Sequence, residues 1–156
     1  MANFLVLVNR LALLVLLFSC YDWGDFTVSA QRFRPGFVYT RNRGTCTPQY
    51  WSSRRESWPK MVPQTSTVSK IFGSRAYERY RYDLTLLEAA GRNDDMDNIF
   101  ARLVKQSTAA LLNSYARKNY PYSAWEVKTM LIQALVSEKS ASILAQRLSQ
   151  ANEACN

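Results

Sequence analysis

Histidine is absent from the 156 residues. That removes the side chain used most often as a general base and as a metal ligand near neutral pH. Cysteine is scarce, with only Cys20, Cys46 and Cys155, too few for a four-thiolate zinc cage. No Asn-x-Ser/Thr triplet occurs, so no N-linked glycan is expected. Acid is almost missing from one stretch: residues 31–81 hold 11 Lys/Arg and only Glu56 and Glu78. Residues 82–156 hold eight of each sign. The basicity therefore belongs to one segment, and a localised positive field favours polyanionic partners.

What is present begins with a leader. Arg10 precedes an apolar run, Leu11 to Phe18, and a polar stretch ends Val28-Ser29-Ala30. This order matches a secretory signal cut after Ala30. The run is about half the ~20 residues that span a bilayer as a helix. Phe4 to Phe18 is apolar apart from Asn9 and Arg10, so an uncleaved membrane anchor is the alternative. Cleavage leaves 126 residues, enough for one domain with a single core. It also removes Cys20, leaving Cys46 and Cys155 to pair in an oxidising compartment.

The organisation expected is a signal peptide over 1–30, a flexible basic arm over 31–45 and a helical domain over 46–156. Residues 31–45 carry four arginines, two glycines and a proline without helical period. Thr47 and Pro48 suit a helix start, predicting a short helix to about Ser57, with Trp51 and Trp58 on one face. Residues 64–71 read as a loop or a short turn of helix. From Ser74 the spacing of Tyr77, Tyr80 and Leu84 predicts a helix continuing to Gly91, with a capping box at Thr85 and Glu88 where it can restart. A helix with its stripe at Ile99, Phe100, Leu103, Val104, Ala110, Leu111 and Tyr115 is expected to run to about Lys118. Ser123 and Glu126 form a second capping box. The last helix, from about Glu138 to Ala154, should bury Ala141, Leu144, Ala145, Leu148 and Ala151, with Cys155 on the same stripe. The fold class is all-α: a bundle of about four to five helices, its ends clasped by a disulfide.

Chemistry is sparse. Asp95-Met96-Asp97 lacks the glycine and distal glutamate of a calcium loop, and the aspartates suit a helix N-terminus instead. Glu56, Glu78, Glu88 and Glu126 could meet as an acid–base pair, but nothing in their spacing demands it. No metal, cofactor or catalysis is expected. The densest feature is Lys70 followed by Arg75-Ala76-Tyr77-Glu78-Arg79-Tyr80-Arg81-Tyr82. On a helix, Arg75, Arg79 and Tyr82 would share a side. Guanidinium groups bind carboxylate, sulfate or phosphate in a bidentate manner. Lys70, Arg75, Arg79, Arg81 and Tyr82 are therefore the polyanion-binding candidates, against the plainer reading of a solvated face over a tyrosine core. Trp51 and Trp58 are either a contact patch or core.

Cys46-Thr47-Pro48-Gln49-Tyr50-Trp51 resembles the opening of a group of small exported domains, found among plant secreted and microbial surface proteins. Further matches are Trp58-Pro59, Leu84 to Ala89, Ala109 to Asn113, Tyr120-Pro121-Tyr122-Ser123 with Glu126-Val127, and Ala151-Asn152-Glu153-Ala154-Cys155. The likeness covers about Cys46 to Cys155. Arg92 to Asp97 departs from the glycine-rich sequence of that pattern, and the basic arm and Arg/Tyr run lie outside it. The resemblance implies a fold and an extracellular address, the plant apoplast, without an activity.

The function expected is a secreted, monomeric, non-catalytic module for acidic cell-wall polysaccharide. A receptor-binding or signalling protein is the alternative, with Trp51 and Trp58 as its contact patch, and a glycan-active enzyme comes third. Nucleic acid is not an expected partner, and contact with a membrane is expected only through an uncleaved leader.

Overall fold

Thr47, Thr67, Thr85, Asn98, Ser123 and Ser137 each sit just ahead of a helix with extended backbone. Each accepts a hydrogen bond from a first-turn amide, which satisfies a donor that the helix itself leaves unpaired. The computed structural model describes residues 44–155. The leader, residues 31–43 of the expected arm and Asn156 lie outside the described residues. Among those described, six α-helices and two 3-10 turns follow one another: α1 (Pro48–Ser53), α2 (Val68–Phe72), α3 (Leu86–Ala90), α4 (Ile99–Ala116), α5 (Ala124–Ala134) and α6 (Glu138–Ala154). The protein is thus all-α. None of these helices is long and apolar enough to cross a membrane.

Helix α4 is the axis of the bundle and packs against α1, α3, α5 and α6. Contact on so many sides buries the helix nearly all round, the polar Lys105, Ser107, Thr108 and Asn113 included. Accordingly Leu103, Val104, Ala109, Ala110, Leu111 and Leu112 are all fully buried. The alanines let the backbones approach closely. Helix α6 offers Ala141, Leu144, Ala145 and Leu148 to this axis, and α5 adds Val127, Leu131 and Ala134. The stripe of α6 then steps from Leu148 to Asn152, which is buried, while Ala151 is half-buried.

The short elements are held by other means. Thr67 and Thr85 form an antiparallel bridge: Val68 N–H donates to Leu84 C=O and Leu86 N–H donates to Ser66 C=O. Isolated helices of five residues are not stable alone. The bridge and the core side chains Val68, Phe72, Leu86 and Ala89 fix α2 and α3 in place.

Three local expectations need correction. Residues 74–91 do not form one helix. Ser74–Glu78 is a 3-10 turn, and α3 begins only after Thr85. The chain must return at Leu84 to make the bridge, and Tyr80 is drawn inward, its hydroxyl donating to Phe100 C=O at 3.0 Å. Tyr77 is consequently 55% exposed rather than core. The helix from Pro48 ends at Ser53, with Arg55–Ser57 a separate 3-10 turn. Helix α4 stops at Ala116, two residues short of Lys118, and Tyr115 lies exposed beyond its buried stripe.

Candidate functional site

The ends of the bundle are joined by the Cys46–Cys155 disulfide, with Cα atoms 5.8 Å apart. A buried polar network lies directly beneath it. Asn113 Oδ1 accepts from Trp51 Nε1 at 2.8 Å. Its amide nitrogen donates to Cys46 C=O at 2.7 Å and to Asn152 Oδ1 at 2.8 Å. The Tyr120 hydroxyl also donates to Asn152 Oδ1, and Asn152 Nδ2 donates to Gln106. Trp58 Nε1 donates to Trp51 C=O at 2.7 Å. Burial pushes the Tyr120 phenol well above its ordinary range. Every buried amide proton of Asn113 thus has a partner, the condition under which a buried polar group stops being a liability. Trp51 and Trp58 are 1% and 8% exposed. They are core, and the contact-patch alternative for them falls.

The cations of the expected basic face are dispersed. Arg75 pairs with Glu78 and Arg81 with Asp83. Arg79 donates from Nε to Leu135 C=O and stacks 4.5 Å over the Phe100 ring. It thereby serves the C-terminal end of α5, where a cation is favoured. Arg79 and Arg81 do line one concavity of about 470 Å³, but Glu88, Asp94 and the Asp94-paired Arg92 share it. Tyr82 is 76% exposed. Because the segment is not an α-helix, Arg75, Arg79 and Tyr82 do not share a helical side. Arg32, Arg34, Arg41 and Arg43 lie outside the described residues.

Lys70 has a different setting. It lines a groove of about 590 Å³ between α2 and α5, with Ile71, Phe72, Gly73, Trp125, Lys128, Thr129, Ile132 and Gln133. Lys128, Thr129 and Ile132 stand three, four and seven positions after Trp125 along α5, which puts them on one face. Gly73 closes α2 at φ 116, a conformation that side-chain-bearing residues rarely adopt, and this turn shapes the groove's floor. Trp125 stands 76% exposed at the wall. Among the described residues neither Lys70 nor Lys128 makes an ion pair, and no Asp or Glu lines the groove. Glu126, next to Trp125, is held at the N-terminus of α5: the Ser123 amide and hydroxyl both donate to it and lower its pKa. The result is a largely apolar slot with an indole platform, two ammonium groups and two neutral polar groups, a lining that can meet an anionic, ring-shaped ligand.

Sequence reasoning found Lys70 but missed Trp125 and Lys128. Trp125 sits inside a capping box, and its exposure follows from its place opposite the buried Val127, Leu131 and Ala134 face of α5. Asn113 and Asn152 were quoted in motifs without a role.

The fold and the clasp define a small helical domain tied end to end by one disulfide. The chain belongs to the protodermal factor 1 C-terminal domain family, a plant family, whose model matches residues 45–155. No curated protein and no solved structure matches the chain. The matched span takes in both cysteines of the clasp, and Cys46, Trp51, Trp58, Asn113, Tyr120 and Asn152 form the network beneath it.

Proposed function

We propose that this is an exported, non-catalytic binding module that holds an acidic polysaccharide, a polyuronide of the plant cell wall, in the groove beside Trp125. The exposure of Trp125 carries the reading. A tryptophan is costly to leave in water, and this one lines a groove with two lysines that make no ion pair among the described residues. An indole face matches the apolar face of a sugar ring, while its N–H remains available to hydroxyls. Ammonium groups supply charge without the fixed fork of arginine, which suits carboxylates presented at varied angles along a polymer. The leader, the terminal disulfide and the plant family support an apoplastic address.

The test is retention on immobilised polygalacturonate. Retention at low salt should fall steeply with added salt, as counterion release dictates for polyanions. Trp125→Ala and a Lys70→Ala/Lys128→Ala pair should abolish it while leaving the unfolding midpoint within error, since all three are surface changes. Wild-type protein that passes unretained at low salt ends the proposal. The address is tested separately by the mass of secreted, non-reduced protein, which should begin at Gln31.

A further inference from the structure

A second cavity, of about 290 Å³, opens between α5 and α6, lined by Met130, Gln133, Ala134, Ser140, Ile143, Leu144 and Arg147. Gln133 lines both this cavity and the Trp125 groove and is the residue of α5 that stands between them. Their linings share a character: apolar side chains, neutral polar groups, cations and no acid. Ile143 is 58% exposed, and Arg147 makes no ion pair among the described residues.

Resting on the reading above, we infer that the two cavities form one continuous track for an extended polyuronide segment, in which Lys70 and Lys128 hold carboxylates at one end and Arg147 takes a carboxylate farther along. Length supports this. Trp125 to Gln133 is eight residues of helix, roughly 12 Å. Crossing from α5 to α6 adds about 8–10 Å. A track of roughly 20 Å accommodates several consecutive sugar rings, not one. Ile143 and Met130 then offer apolar surface to sugar faces beyond Trp125. Arg147 offers the two-pronged contact to a carboxylate that an ammonium cannot. The cavity beside Arg79 and Arg81 is not part of this track, because Glu88 and Asp94 would repel the polymer there.

Calorimetric titration of the folded, oxidised protein with galacturonic acid and its trimer, hexamer and decamer tests the inference. Affinity should rise at least tenfold between trimer and decamer. Arg147→Ala should lower decamer affinity about fivefold or more and leave the trimer unchanged, whereas Lys70→Ala/Lys128→Ala should weaken both. Equal affinity for trimer and decamer overturns the continuous track. So does an Arg147→Ala variant that weakens both to the same degree, or neither. In those cases the Trp125 groove still binds and the functional reading survives. Wild-type protein that binds none of the oligomers removes the reading and the track together.

Discussion

Replacing Asn113 with alanine strips the buried network of its centre. Trp51 Nε1 loses the Asn113 acceptor and the Cys46 carbonyl loses the Asn113 donor, while Asn152 Oδ1 keeps the Tyr120 hydroxyl. Each buried polar group left unpaired costs about 1–3 kcal/mol. Two such groups, with a small void added, give a loss of about 3–5 kcal/mol. That is a large share of the roughly 5–15 kcal/mol that holds a domain folded. The measurement is urea unfolding of the oxidised protein followed by far-ultraviolet circular dichroism. With a slope of about 1–3 kcal/mol per molar, the midpoint should fall by roughly 2 M. The disulfide remains intact throughout, so the change isolates the hydrogen bonds from the clasp. A double-mutant cycle with Asn152→Ala should be non-additive by about 1 kcal/mol or more, because the two amides are bonded to each other. A midpoint for Asn113→Ala within about 0.3 M of wild type would refute the argument, showing that water replaces the amide at little cost.

Other perturbations follow from the same structure. Gly73→Ala should cost about 1–3 kcal/mol in unfolding free energy through backbone strain alone at φ 116. The added methyl would meet Ile132 at an ordinary 3.9 Å, so a loss below about 0.5 kcal/mol would contradict the strain. Tyr80 and Tyr120 have phenols raised by burial. A folded pKa above the unfolded one gives stability that is complete below about pH 10 and lost as pH rises beyond it. Absorbance at 295 nm should therefore show a late tyrosine fraction that ionises together with unfolding. Lys105 is buried, its side chain 8% exposed, and is paired to Asp95 at 3.0 Å. Asp95→Ala should destabilise by about 2–3 kcal/mol, less than a fully buried pair because Asp95 is partly wet, whereas Lys105→Met should be nearly neutral. Equal losses from the two would reject that asymmetry.

Helix starts were legible in the chain because they carry chemistry of their own. Thr85 with Glu88 and Ser123 with Glu126 form reciprocal capping boxes at the positions their spacing implies. The stripe of α6 follows helical period, with Asn152 buried where Ala151 was expected. Residues 74–84 were not legible, because a tertiary demand overrides local period there. Leu84 must reach the Thr67 bridge and Tyr80 must reach Phe100, and neither partner is nearby in sequence. The same holds for Arg79, whose partners Leu135 and Phe100 are 56 and 21 positions away. Trp51 and Trp58 looked alike as patch or core until Asn113 supplied a buried acceptor for one and Trp51 a carbonyl for the other. Trp125 looked like part of a helix start, and only the packing of α2 beside α5 makes a groove of it.

Cys46 and Cys155 turn 110 residues of linear chain into a covalent ring. A ring cut once is still one molecule. A protease acting at the exposed Arg54-Arg55 pair, or in the turns between Arg79 and Leu84, would open the ring without releasing a piece. The nicked product would gain the mass of one water and run as intact protein until reduced. The new ends would stay tethered at high local concentration and keep refolding onto the same core. A domain built this way can be cleaved once and remain one covalent molecule, so loss of a band on a reducing gel need not mean loss of the folded module.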